Sequence, residues 1–306
     1  MNLGHGQAVA LMVLVTFLWS TAGVVTRHLE QAQAFEITFW RSFFTLLALA
    51  VILPVWQGWG VWQRMRSEGW LLWASGACWA VMFTAFMLAL ALTSVANVLI
   101  TLAAAPLLTA LVSRVFFAQQ LARRTWVAIG VAGLGIGWMF ARQLDGTAWM
   151  GMLVALGVPL AGAINWNLVR CGQEAGREVD LVPAVLVGAA LSALATLPLA
   201  WPLEASAHDI ALLAGLGLGQ LAIPCVLAVL CARVLAPPEI SLLALLEVLF
   251  GIVLVWWLAR EAPSAEVIQG GLLVVSALVV NEWLGWRERA SRSRSEQHDA
   301  ARKAIP

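Results

Sequence analysis

One acid lies deep inside an apolar stretch. Glu247 sits about nine residues into the run that begins near 238, hence about 13 Å along a helix at 1.5 Å per residue. A charge at the bilayer centre costs about 2.5 to 3.5 kcal/mol even on the lenient insertion scale, so such a group is protonated, paired or in contact with water. Two roles follow. Glu247 could bind a cationic group or a coupling proton, or it could fix helix packing through an ion pair or hydrogen bond, with Arg41 a possible partner. Neutral polar side chains also stand inside apolar runs: Ser20, Asn97, Thr101, Asn165, Asn167 and Gln220. Asn97 and Thr101, four apart, share one helix face. Groups of this kind either meet a polar solute or hydrogen-bond one helix to another.

Aromatic residues away from the ends of the runs are the next candidates. Trp79, Phe83 and Phe86 recur at i, i+4 and i+7, one stripe of a helix, and Trp19 and Trp166 add surface of the same kind. Such walls could enclose apolar groups of varied shape; a core or lipid-facing stripe is the competing reading. Pro106, Pro159 and Pro224 each lie within a run, and each frees the carbonyl four residues earlier because proline has no N–H. Those carbonyls belong to Leu102, Ala155 and Gln220, either as solute ligands or as parts of simple kinks.

Other chemistry finds no support. Cys78, Cys171, Cys225 and Cys231 show no CxxC spacing and read as small buried hydrophobes, while His5, His28, His208 and His298 form no cluster. No metal and no cofactor is expected. HExxH, GxSxG and paired aspartates are missing, as is a GxxxxGK[ST] phosphate loop, so neither an enzyme nor an ATP-driven pump is indicated and no ATPase subunit is required. The glycines at 133, 135 and 137 and at 215, 217 and 219 lack the flanking strand of a dinucleotide fold and suit close helix packing instead. A net charge of +1 leaves no footprint for nucleic acid.

These residues are embedded in a chain of 306 residues that is 61% hydrophobic and only 11% charged. Soluble domains carry about 45 to 50% apolar and about 25% charged residues, so the sequence predicts an all-α integral membrane protein in a lipid bilayer. Because a crossing takes about 20 apolar residues, ten transmembrane helices are expected, near 7–27, 35–53, 70–92, 95–117, 125–142, 148–170, 181–200, 208–231, 238–258 and 264–285. The first is read as a retained span because no basic residue precedes it, as a signal peptide would require. Thr93 to Asn97 is expected to turn the chain in a tight hairpin. Trp56, Trp59, Trp62, Trp70, Trp201 and Trp286 fall near span ends and suit the interface.

With both termini inside, the inner segments hold Arg64, Arg66, Arg114, Arg123, Arg124, Arg170, Arg177, Arg233, Arg287, Arg289, Arg292, Arg294, Arg302 and Lys303, and the outer loops only Arg27, Arg142 and Arg260. Glu30, Glu36, Asp145, Glu204, Asp209, Glu261 and Glu266 collect outside. The positive-inside rule therefore places both ends in the cytoplasm. The basic segment 286–306 reads as a solvated stop signal or an anionic-lipid contact.

Sliding the chain on itself by 142 residues lays spans on spans, pairing Ala105 and Pro106 with Glu247 and Val248, Ala96 with Pro238, and Trp19 with Ala161. Residues 1–142 and 143–285 then form two five-helix repeats. Five is odd, so the copies enter the membrane from opposite sides, as two inverted repeats with any solute site between them near the midplane. That architecture is the basis of alternating access in secondary transporters.

The chain resembles the drug/metabolite transporter superfamily with its paired EamA-type repeats. The resemblance covers about residues 9 to 285 and rests on Leu18-Trp19-Ser20, Phe39-Trp40-Arg41, the run from Ala96 through Pro106, Gly130, Gly133 and Gly137, and the acids Glu247 and Glu261. Ala105 and Val248 depart from an acid-proline pattern, and Gln119 stands in place of a glutamate. The Trp-rich first half is similar to the aromatic amino acid exporter branch. That likeness implies a bacterial inner-membrane exporter of amino acids. The intramembrane polar and aromatic residues Trp19, Ser20, Trp79, Phe83, Asn97, Thr101, Asn165, Trp166, Gln220 and Glu247 are the candidate contacts for such a small-molecule substrate. Amides and carbonyls could then meet its ammonium and carboxylate. A multidrug or other metabolite exporter of the same superfamily is the alternative; a membrane-embedded enzyme or a channel is the rival from another class.

Overall fold

The computed structural model describes residues 3–287, apart from 68, 118–121, 142–147, 175–180, 236, 261, 267, 278, 282 and 286. The basic tail beyond 287, and with it Gln119, Arg142, Asp145, Arg177 and Glu261, lies outside the described residues. The secondary structure described is helical, with no strand. In order it comprises α1 (His5–Thr26), α2 (Ala34–Gln57), α3 (Val61–Ser67), α4 (Trp70–Leu92), α5 (Val95–Leu102), α6 (Ala105–Phe117), α7 (Arg123–Ala141), α8 (Ala148–Glu174), α9 (Val182–Ala200) and α10 (Ala207–Gly215). A π-helix (Leu216–Ala222), α11 (Ile223–Cys231) and α12 (Pro237–Leu258) follow, and then the last apolar stretch, Ile268–Gly285.

Eight helical stretches among the described residues are long and apolar enough to cross a membrane. They coincide with eight of the ten expected spans. The other two are represented by α7, which is 19 residues long, and by the shorter apolar helix Leu243–Leu258 within α12. Leucine, alanine and valine on every face remove the one-sided pattern of a soluble helix, as expected where lipid is the solvent. Trp59, Trp70 and Trp201 are largely exposed near helix ends, as interfacial anchors would be. The segment expected as a loop between the second and third spans contains α3, bracketed by Gly58 and Gly69 at φ +78° and +72°, a backbone conformation that glycine adopts without penalty.

Prolines and serines set the breaks. The turn after α4 is as tight as expected: Thr93 is extended, and Ser94 caps α5 by accepting from the Asn97 amide at 3.2 Å. The fourth expected span is two helices rather than one. Its chain turns at Ala103 and Ala104, and α6 restarts with Pro106 in its first turn, where a missing N–H costs nothing. In the eighth span, Pro224 stands at the start of α11 directly after the π-helix, which widens the turn that carries Gln220. Pro159, by contrast, is accommodated within α8 without a break.

The most extensive contacts join α4 to α8 and α9, α2 to α9, and α1 to α12. Under the 142-residue shift these have counterparts: the π-helix and α11 against α1, the π-helix and α10 against α2, and α8 against α5 and α6. Several of the close approaches depend on glycine, among them those at Gly76, Gly188, Gly217 and Gly251. Gly217 lies so near α2 that an added Cβ would come within 2.9 Å of the Arg41 carbonyl and 3.0 Å of the Thr45 amide. Of the two spaced triplets, the middle members, Gly135 and Gly217, serve close packing; added Cβ atoms at Gly133, Gly137, Gly215 and Gly219 would meet open space. The sequence reading had credited all six.

At the end that carries the 27–33 and 201–206 connections, two acids assigned to loops are in fact fully buried first-turn residues of α2 and α10. Asp209 accepts backbone N–H bonds from Glu30, Gln31 and Ala32 at 2.8, 2.9 and 3.0 Å. Glu36 accepts from the amides of Glu204 and Ala205 at 3.1 and 2.8 Å and from the Trp40 indole at 3.2 Å. Each carboxylate thus holds the connection preceding the other's helix. Inside that end an apolar cluster including Ala22, Phe86, Leu90, Val95, Leu99, Leu213 and Val255 fills the bundle.

Candidate functional site

Beyond that cluster lies a cavity in two lobes, with empty volumes of about 480 and 690 Å³. The lobes share Trp19, Trp79, Met82, Leu102, Val158 and Glu247 as walls. The smaller adds Arg41, Phe83, Phe86, Gln220, Leu221 and Cys225; the larger adds Met12, Ala105, Pro159, Gly162, Trp166 and, from α12, Ile240, Ala244, Leu245 and Val248. The walls come from α1, α2, α4, α5, α6, α8, the π-helix, α11 and α12, so both halves of the sequence contribute.

The aromatic walls are ordered by one another. Trp79 and Phe83 are one helical turn apart with ring centroids at 5.5 Å, and Trp79 meets Trp166 edge to face at 6.3 Å and 83°. Gly188 of α9 backs Trp79; even a methyl group there would collide with its Cβ. The stripe of Trp79, Phe83 and Phe86 is thus buried and turned toward the cavity.

The polar groups divide into two sets. Ser20 donates to the Phe17 carbonyl at 2.6 Å, Thr101 to the Asn97 carbonyl at 2.7 Å, and the Asn97 side-chain amide to Thr93 at 2.8 Å. Asn165 accepts from Ser75 at 2.6 Å and joins α8 to α4; Asn167 accepts from Ser113 at 2.9 Å and joins α8 to α6. These four expected ligands, Ser20, Asn97, Thr101 and Asn165, are not among the cavity's walls. Short side chains find their own helix or its neighbour before they reach the cavity, which is the helix-to-helix role weighed against solute contact. Trp19, Trp79, Phe83, Trp166, Gln220 and Glu247 are brought together around it.

Gln220 is reached through the π-helix, where its side chain bridges two helices. Its Nε2 donates to the Trp19 carbonyl at 3.3 Å and its Oε1 accepts from Arg41 Nη1 at 3.3 Å. Arg41 is 1% exposed; its Nη2 donates to the Phe83 carbonyl at 2.8 Å, and its guanidinium lies 5.9 Å from the Phe83 and Phe86 ring centroids. Glu247 is half-buried on α12 and walls both lobes. The ion pair suggested between Glu247 and Arg41 is not formed: among the described residues neither charge has a salt-bridge partner. The neutral acceptors of Phe83 and Gln220 hold the guanidinium instead.

The sequence offers Arg41 as a possible partner of Glu247 and as part of the Phe39-Trp40-Arg41 motif but not as a cavity residue, though the one basic residue in the interior of the second span carries its own signal as an intramembrane charge. Sequence reasoning placed Cys225 among buried hydrophobes, which holds, but missed that the residue also walls the cavity.

A bundle of apolar helices around an aromatic cavity with two charges in its wall defines a class, the multi-pass membrane protein fitted to hold a small solute. Residues 6–141 match the EamA-like transporter family, so the first half of the chain is similar to membrane transporters. No curated protein matches the chain. A solved chain described only as a crystal structure of a protein is 18% identical, has a TM-score of 0.65, and its alignment covers 92% of this chain and 98% of that one. That likeness concerns the fold alone.

Proposed function

We propose that the protein is a secondary transporter that exports amino acids with apolar side chains across the bacterial inner membrane by alternating access. The carrying observation is the cavity lined by residues of both halves of the sequence, with Trp19, Trp79, Phe83, Phe86 and Trp166 in its wall and Glu247 on the wall of both lobes. Glu247 meets the ammonium of the solute or a coupling proton; Trp19, Trp79, Phe83 and Trp166 enclose its side chain; Gln220 supplies a hydrogen-bonding edge. Ten spans in two inverted five-helix repeats, with both termini cytoplasmic, accord with the match over residues 6–141 and with helix contacts that recur when the halves are exchanged. The apolar cluster that fills one end of the bundle accords with a conformation closed on that side.

Counterflow in liposomes tests the proposal: vesicles loaded with unlabelled phenylalanine should accumulate labelled phenylalanine, and Glu247→Gln should abolish most of that accumulation. No counterflow with any amino acid would end the amino acid reading. Aromatic walls around a single acid also suit bulky apolar cations, the multidrug alternative, and accumulation of a labelled aromatic cation in place of amino acids would establish it.

A further inference from the structure

Arg41 has five N–H donors. Two are used, both on neutral oxygens: Nη1 on Gln220 and Nη2 on the Phe83 carbonyl. Its buried Nε has no partner. On the same cavity stands Glu247, also without a counter-charge among the described residues. Two opposite charges facing one apolar space attract each other strongly at low dielectric, and their direct union would be the simplest way to offset the cost of placing each among spans. Here they are held apart. The guanidinium is tied back by the Phe83 carbonyl and by Gln220, which is itself anchored on the Trp19 carbonyl. Gly217 brings the π-helix against the Arg41 backbone, with Thr45 donating to both the Arg41 and Gly217 carbonyls at 2.8 and 3.0 Å. Two opposite poles on one cavity wall, the positive one tied back by neutral acceptors, match a molecule that carries both charges.

We infer that Arg41 is the anion-binding pole of the cavity and takes the carboxylate of a zwitterionic solute whose ammonium goes to Glu247, making it a specificity-determining residue that rejects solutes lacking an anionic group. The inference rests on the transporter reading above and sharpens its substrate class. A planar guanidinium with unused donors suits a carboxylate, which accepts two parallel N–H bonds. A site built around such a bond rejects an analogue that lacks the partner, because the buried donors then stay unpaired.

The test uses the purified full-length protein and three probes that share one ring: phenylalanine, phenethylamine without the carboxylate, and 3-phenylpropanoate without the ammonium. Apparent affinities come from ligand-dependent thermal shifts, and uptake from counterflow. The wild type should bind phenylalanine at least about tenfold more tightly than either truncated probe, a difference of about 1.4 kcal/mol. Arg41→Gln should bring phenylalanine down to the affinity of phenethylamine while leaving phenethylamine unchanged; Arg41→Lys should recover part of the difference. Equal losses for phenylalanine and phenethylamine in Arg41→Gln would mark Arg41 as a packing strut and overturn the inference while leaving the amino acid reading intact. If Arg41→Gln does not fold, phenylalanine methyl ester on the wild type decides: binding as tight as the free acid overturns the inference. Binding of none of the probes to the wild type would overturn both readings.

Discussion

The bundle treats its buried charges in two contrasting ways. At one end, Asp209 accepts three backbone N–H bonds and Glu36 accepts two backbone bonds and an indole N–H, so each carboxylate is surrounded by donors. In the cavity, Arg41 has two neutral acceptors and Glu247 has no ion-pair partner among the described residues. The physical cost of burying an ion is the same in kind for all four, and it falls only when hydrogen bonds replace lost water. A charge whose hydrogen bonds are complete is doing structural work. One left incomplete on a cavity wall has hydrogen-bonding capacity to spare, which fits the proposed site. Substitutions at the two places should therefore separate stability from transport.

The largest effect should come from Asp209→Ala. Three amides of the 27–33 connection lose their acceptor, and hydrogen bonds to charged groups are individually worth about 1.5 to 3 kcal/mol, so the unfolding midpoint in detergent should drop steeply. Phenylalanine counterflow by the surviving folded fraction should be normal; a transport defect with unchanged melting would erase the contrast. Next in size is Gly217→Val, which forces a branched side chain onto the α2 backbone at Arg41 and should cost about 1 to 3 kcal/mol as overpacking. Because it also displaces Arg41, the ratio of phenylalanine to phenethylamine affinity should fall with it.

Glu247→Gln reverses the pattern. It should leave melting nearly unchanged and cut counterflow about tenfold or more, equivalent to about 1.4 kcal/mol; a destabilised protein with normal uptake would make Glu247 a packing residue. The smallest effect belongs to Ser75→Ala, which deletes the bond to Asn165 between α4 and α8. Such interhelical bonds average about 0.6 kcal/mol, so a shift of a degree or two with full transport is expected. A transport loss there would put Asn165 back among solute contacts.

Much of the fold was legible because the bilayer simplifies the problem. Every backbone polar group must be satisfied within its own helix, so long apolar runs can be read directly as spans, and those at 70–92 and 95–117 were separable through Thr93 and Ser94 alone. The break inside the fourth span followed from Pro106, since a missing N–H acts locally. The polar ligands were less legible. Ser20 and Thr101 carry the same hydroxyls whether they face a cavity or bond to a carbonyl three or four residues back, and the second outcome prevailed. Glu36 and Asp209 could not be told from loop acids because the amides that bury them lie about 170 to 180 residues away in sequence.

By itself, then, the amino-acid order determined that this chain lives in a membrane as a helical bundle, where its long apolar runs lie, and that Glu247 and Arg41 are intramembrane charges needing a reason. Those features depend on composition and on interactions within a few residues, which a linear reading contains. Tertiary structure alone decided that Arg41 is tied to Phe83 and Gln220 instead of meeting Glu247, that six of the ten expected ligands converge on one cavity, and that two carboxylates clasp the far end. Partner choice among buried charges is settled by which helices lie side by side, and that depends on the packing of every span at once.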